Sequence, residues 1–227
     1  MIRGSFSAPN VEDIIAAKPE LAIGNVRTHS KIRDAIASVA PMYLIATAAY
    51  PDTFRQLTDL GKLTGREAQA AAAIQRFKDK ITAVKVRSPG NLVALLVYGE
   101  PGSPGGFAIN TDNSTAGSVV AEITKYPWKV PPGVQDNGPG AYLYSLEQVL
   151  TVDPDVIIYE QFGSDDKLAD KVVNNPVYRQ LKAVKNHRLL TIDATYPETA
   201  QDTLGMEIFL DQVAPLLYPS VFPSAQR

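Results

Sequence analysis

Apolar positions change rhythm along the chain, from the three- and four-residue spacing of helices to short continuous runs that suit buried strands. One such change occurs twice. NVEDIIAAKPELAI from Asn10 and SLEQVLTVDPDVII from Ser145 align without a gap, setting Glu12 over Glu147, Pro19 over Pro154, and Leu21 and Ile23 over Val156 and Ile158. Asn10 and Ser145 are good N-caps because their side-chain oxygens accept an orphan backbone N–H, and Asp13 or Gln148 three residues on can return the bond. Ile14 and Ile15, like Val149 and Leu150, give each helix an apolar stripe, and the proline disfavours helix at the residue before it. LAIG in the first copy and VIIYE in the second then read as short buried strands. Two ordinary helix–turn–strand units of an α/β protein would look the same, so coincidence stays open. The glutamate at the third position has no evident folding duty in either copy.

Between the copies lies the longest helical pattern, LTGREAQAAAAIQRFKDKITAVKVRSPG. Thr64 and Glu67 suggest a capping box at its start, the alanines favour helix, and Ser88, Pro89 and Gly90 stop it. Ala70, Ile74, Phe77, Ile81 and Val84 form one narrow apolar stripe, with Arg66, Gln75, Arg76, Lys78, Asp79 and Lys85 on the other faces. Such a helix suits a strut across two lobes, with an ordinary crossover helix as the alternative. The remaining patterns predict strands near residues 21–24, 42–46, 92–98, 107–111 and 188–192. Helices are predicted near 31–39, 52–60, 115–123, 165–181 and 199–217, with a loop over 126–144. Strands alternate with helices on both sides of the long helix, which predicts α/β architecture with parallel sheets.

Composition narrows the function. The 227 residues carry a formal net charge of −2 and no basic cluster interleaved with aromatics, which argues against nucleic acid. The absence of cysteine removes disulfides, iron–sulfur ligation and thiolate chemistry, and two histidines, His29 and His187, are too few for a His-built metal site. No stretch approaches the roughly 20 apolar residues of a membrane span, and the N-terminus lacks a secretory-signal pattern. Catalytic motifs are weak. EPGSPGG lacks the Lys-Ser/Thr of a phosphate loop and leads to a strand, there is no GxSxG, and NTDNSTAG has no histidine placed to activate its serine. No enzyme is expected.

KPEL at the end of the first repeat helix, TGREAQA, SLEQVLTVDPDVIIYE and NPVYRQLKAVKNHRLLTID resemble, in order and over nearly the whole chain, the class III periplasmic binding proteins. These serve ABC importers of iron–siderophores, ferric citrate, haem and vitamin B12. The resemblance implies two parallel-sheet α/β lobes joined by one long α-helix, with ligand held between them. The boundaries expected are 1–63 for an N-terminal lobe, 64–87 for the linker helix and 88–227 for a C-terminal lobe. Family members begin with a further strand, turn and helix, so the N-terminal lobe is expected to be truncated and to pair with another copy through an exposed strand edge. The expected function is a receptor that captures a ferric chelate, siderophore in type, and delivers it to a membrane permease. It would have no intrinsic cofactor or metal, and would be periplasmic or lipid-anchored outside the cytoplasm in a full-length protein whose signal segment this chain lacks. Haem- or cobalamin-binding receptors of the same fold are the alternatives. A nitrogenase-related α/β enzyme stands further back, because it needs cysteines for its cluster.

In open α/β sheets ligands lie beyond the carboxyl ends of strands. That rule and the preceding loop nominate Arg27, His29, Tyr50, Glu100, Trp128, Tyr142, Tyr144, Gln161, Phe162 and Tyr196. Aromatic planes with a forked cation suit a flat anionic chelate, while each residue taken singly also reads as packing or loop. Arg27 and His29 are the strongest, since a cation and an imidazole have little other reason to end a buried strand. The FAINT stretch and the placement of His29 resemble the ferric-citrate branch, but the second lobe shows Glu100 and Glu198 where further arginines would hold citrate, which favours a hydroxamate or catecholate. The resemblance also implies that Glu12 and Glu147, one per lobe, dock into arginine pockets of a pseudo-symmetric permease. The alternative is a helix-dipole preference for acid in the first turn.

Overall fold

The structure is a computed structural model, and it describes residues 3–5, 8–99, 107–133, 140–162, 172, 174–196 and 202–223. The chain divides into two compact units, residues 1–46 and 47–227. This division does not coincide with the boundaries expected at 63 and 88.

In the first unit, β1 (Gly4–Ser5) and β2 (Ala8–Pro9) form a small antiparallel pair leading into α1 (Val11–Ala17). Asn10 caps α1 by accepting the Asp13 N–H at 2.9 Å. The reciprocal bond is missing because Arg3 holds the Asp13 carboxylate through its Nε at 2.8 Å and Nη2 at 2.6 Å. That contact keeps the Asp13 carboxyl below the usual carboxylate range. Next, β3 (Ala22–Asn25) pairs in parallel with β4 (Met42–Ile45). The segment between them is α2 (Val26–His29), a 3₁₀ turn (Ser30–Ile32) and α3 (Arg33–Ile36), where one helix over 31–39 was expected. Asn25 accepts the Arg27 N–H at 2.9 Å, so helix starts immediately after the strand. Ile14, Ile36 and Ala40 form the buried apolar centre of this unit.

The second unit opens with α4 (Tyr50–Thr64) and α5 (Glu67–Arg87). The Thr64–Glu67 capping box does not form. Thr64 is instead the last residue of α4, its hydroxyl donates to the Leu60 carbonyl at 2.7 Å, and Gly65 at φ +64° closes that helix. The stripe of α5 is inward as expected, with Ala70, Phe77 and Ile81 buried and Ile74 and Val84 partly so. Its flank carries Arg76, 2.9 Å from Glu207, and Lys80, 2.5 Å from Asp211.

Five strands follow: β5 (Ala94–Tyr98), β6 (Phe107–Asn110), β7 (Ala141–Tyr144), β8 (Val156–Gln161) and β9 (Leu189–Asp193). The sheet order is β7-β6-β5-β8-β9. It is mixed. β5, β8 and β9 run parallel as expected, but β6 is antiparallel to β5 and to β7. Only eight residues separate β5 from β6, short of the dozen or so that a parallel crossover needs. β7 lies where a loop was expected, because four residues at an edge carry too little periodicity to announce a strand.

Helices α6 (Thr115–Ile123), α7 (Leu146–Val152), α8 (Lys182–Lys185) and α9 (Thr203–Leu217) complete the described fold. The expected helix over 165–181 lies largely outside the described residues, which show helical backbone at residues 172 and 174 and a 3₁₀ turn at Tyr178–Gln180. Central strands β5 and β8 are buried as continuous apolar runs, and α9 adds Met206, Phe209, Leu210 and Val213 to the same core.

Candidate functional site

The duplicated pattern folds as a duplicated structure. Ser145 accepts the Gln148 N–H, and Gln148 Oε1 accepts the Ser145 N–H at 2.8 Å, so the second copy has a complete capping box. Both helices end on a non-glycine residue in the left-handed region, Lys18 at φ +46° and Asp153 at φ +47°, each followed by the matched proline. Within this frame Asp13 and Gln148 are spent on local bonds. Glu12 and Glu147 are not: both are exposed in the first turn, and neither side chain makes an ion pair or hydrogen bond among the described residues.

In the first unit Arg27 is exposed on α2, while His29 at the other end of the helix is buried, 8% exposed. His29 Nδ1 accepts the Asn25 N–H at 2.8 Å, so this nitrogen is an acceptor and the imidazole folds back onto the strand end. Gly24 makes room for it: a Cβ there would sit 3.0 Å from His29 Cβ. His29 therefore shapes the turn that presents Arg27.

In the second unit the nominated residues separate into two groups. Trp128 belongs to the core. It is 2% exposed, its indole N–H donates to the Ala94 carbonyl at 2.6 Å, and Tyr144 meets its ring edge-on at 5.6 Å. Trp128 is thus packed into the core of this unit, with almost none of its ring exposed. Tyr144 is half-buried and its hydroxyl donates to the Lys129 carbonyl. Tyr50 is packing as well, edge-on to Phe54 and Phe77, with its hydroxyl donating to Glu122 at 3.0 Å. Burial, and then the Glu122 charge, push the Tyr50 phenol up to about 12. Tyr142 sits half-buried on β7.

The other group marks the carboxyl ends of the parallel strands. Gln161 ends β8, and its carbonyl accepts the Ala194 N–H at 2.9 Å. Phe162 follows it, 46% exposed, and Tyr196 lies beyond β9, 47% exposed. Sequence reasoning passed over Tyr98, the last residue of β5, whose ring meets Phe162 edge-on at 6.3 Å. Its place at a strand end was the available signal. Glu100, like Glu198, lies outside the described residues. Below this rim the fully buried Glu160 accepts from Asn110 Nδ2 at 2.5 Å, a link from β8 across β5 to β6. Tyr126 donates to the Asn110 carbonyl, and burial, then the Glu160 charge, hold its phenol well above the usual range. Among the described residues no three His, Cys, Asp or Glu cluster as a metal site, and no helix is long and apolar enough to cross a membrane.

The sequence profile of the periplasmic binding protein family matches residues 3–196. The chain belongs to that family. The periplasmic binding proteins are transport receptors rather than enzymes, and this one shares the α/β fold of its solved relatives. It is similar to the Fe(3+)-citrate-binding protein YfmC of Bacillus subtilis, 28% identical over 84% of this chain and 58% of that protein. An ABC transporter substrate-binding protein from Listeria monocytogenes superposes with a TM-score of 0.76 at 18% identity, over 95% of this chain and 83% of that one. The triscatecholate siderophore binding protein FeuA of Bacillus subtilis, solved with ferri-bacillibactin, gives 0.72 at 21% identity over 94% and 75%. The chain spans 58–67% of the length of the first curated relatives it matches.

Proposed function

We propose that the protein containing this chain is the substrate-binding receptor of an ABC importer, capturing a ferric chelate and delivering it to a membrane permease outside the cytoplasm. The observation that carries the delivery half is the pair of matched, capped helices, each projecting one exposed glutamate that the described residues leave without a bond. A helix dipole favours acid there by a few tenths of a kcal/mol, but equally favours Asp and does not require the same residue twice. Two like charges on two similar units are what a two-fold partner with basic pockets needs, and Glu reaches further than Asp. The capture half is supported by Arg27, a forked donor for carboxylate or catecholate oxygens, and by the exposed aromatics Phe162 and Tyr196 beyond the strand ends. Relatives named for ferric citrate, and a solved neighbour holding a ferric triscatecholate, support the ligand class.

Native mass spectrometry with ferric citrate, a ferric hydroxamate, a ferric catecholate, haemin and cobalamin tests the reading. A ferric chelate binds one to one, and Arg27→Ala weakens it about tenfold, the loss of one charge-assisted pair. Glu12→Ala with Glu147→Ala leaves that affinity unchanged and abolishes uptake. Binding of none of the five overturns the capture reading, and normal uptake by the double variant overturns the docking assignment.

A further inference from the structure

The turn that presents Arg27 is tied through one residue. Asn25 accepts the Arg27 N–H on its side chain at 2.9 Å, and its own N–H donates to His29 Nδ1 at 2.8 Å. An imidazole nitrogen accepts only through its lone pair, so the neutral ring carries its proton on Nε2, whatever that nitrogen meets. A second proton has one place to go, Nδ1, where it would set an N–H against the Asn25 N–H. The ring has no room to swing aside within its pocket. His29 is 8% exposed, and its Cβ and Nδ1 lie 3.0 and 3.2 Å from where a Cβ on Gly24 would stand, with the Met42 methyl closing the same space. Protonation of Nδ1 therefore breaks the bond and turns the ring out toward water.

Among the described residues the elements chiefly packed on α2 are β3, β4 and the 3₁₀ turn. β3 has no titratable side chain. The one on β4 is Tyr43, which pairs with Ile23 while Gly24 pairs with Leu44, so Tyr43 lies on the face of the sheet away from Gly24. The 3₁₀ turn carries Lys31, with Arg27 before it and Arg33 and Asp34 after it, all exposed. An imidazolium is thus a fourth cation in a segment with one carboxylate, which adds repulsion to the lost bond.

We propose that His29 is an acid-sensitive latch on the α2 turn: the neutral imidazole holds Arg27 in place through Asn25, and a proton taken up at Nδ1 opens the turn and loosens Arg27. The latch rests on the reading of Arg27 as a ligand contact, and it makes capture of the chelate weaker in acid.

Amide NMR of the isotope-labelled chain between about pH 5 and pH 8, the range in which imidazoles titrate, reads the latch without ligand. The Asn25 and Arg27 amide signals should move with the same midpoint as the His29 ring. Both should stay still in His29→Asn, whose side-chain oxygen stands as many bonds from the backbone as Nδ1 and accepts without titrating. His29→Ala has no acceptor and should show the acid form of both signals throughout. His187→Asn changes the other histidine, which is exposed, and should leave the titration in place. Chelate affinity should fall about tenfold further from pH 8 to pH 5 in the unaltered chain than in His29→Asn, the share assigned to Arg27. Reading the two proteins side by side cancels any titration of the chelate itself. Asn25 and Arg27 amides that ignore the His29 titration overturn the latch, and so does an equal pH dependence of affinity in the two proteins. Failure of every chelate to bind overturns the capture reading, and the amide signals then decide the latch by themselves.

Discussion

Replacing Phe77 with alanine tests whether α5 is built into the second unit. The ring is fully buried, with its centroid 5.7 Å from Tyr50 and 5.9 Å from Phe54. Truncating a buried phenylalanine costs about 3–5 kcal/mol, the spread reflecting how far the site can collapse. Collapse is restricted here. Tyr50, which would have to move inward, is held by its N–H to Ser118 Oγ at 2.9 Å and by its hydroxyl to Glu122, and Glu122 also takes Lys85 at 2.6 Å. The cost should therefore lie near the middle of the range or above it, about 4–5 kcal/mol. For a unit of this size that lowers the unfolding midpoint by roughly 8–20 °C. Val86→Ala is the control: Val86 is 80% exposed on the same helix and should shift stability by no more than about 0.5 kcal/mol. Scanning calorimetry of both variants decides the matter. If Phe77→Ala stays within about 1 kcal/mol of Val86→Ala, α5 stands away from the core and the packing argued here is wrong.

Three further outcomes follow from the same geometry. The Tyr50 phenol is raised from 10.0 to about 12 in the folded state, so the stability it contributes is complete below pH 10 and lost as pH rises through 12; Tyr50→Phe should flatten that alkaline arm in pH-dependent melts. Asp155 is held below its ordinary value by Lys182 and by the Val93 N–H at 2.8 Å. Its contribution is present above the usual carboxylate pKa and lost as pH falls through the lower folded value, and Asp155→Asn should remove that acid-linked slope in urea titrations. Trp128, the chain's one tryptophan, should emit as a buried indole and resist acrylamide, with ligand quenching left to tyrosines; strong quenching by acrylamide would refute its place in the core.

Local chemistry was legible in the chain wherever a short stretch carries its own reason to fold. The caps Asn10 and Ser145, the prolines after each repeat helix and the stripe of α5 all depend on neighbours within four residues, and each appears where the residues put it. The family was legible for a related reason, since an ordered series of such local signals runs along most of the chain. What depends on distant partners was not. The same narrow stripe suits a strut or a core helix, and only the contacts of Arg76 with Glu207 and Lys80 with Asp211, each 131 positions apart, lay α5 against α9. His29 and Trp128 were nominated from their places after a strand and in an aromatic loop, and no local signal announced that the Asn25 amide would bond His29 Nδ1 or that the Ala94 carbonyl would accept the Trp128 indole N–H. Polarity along a sequence records what a side chain is able to bond. Which bond it makes is settled when tertiary packing brings up a partner and removes water, because a buried donor or acceptor left unpaired costs more than any preference the local sequence expresses.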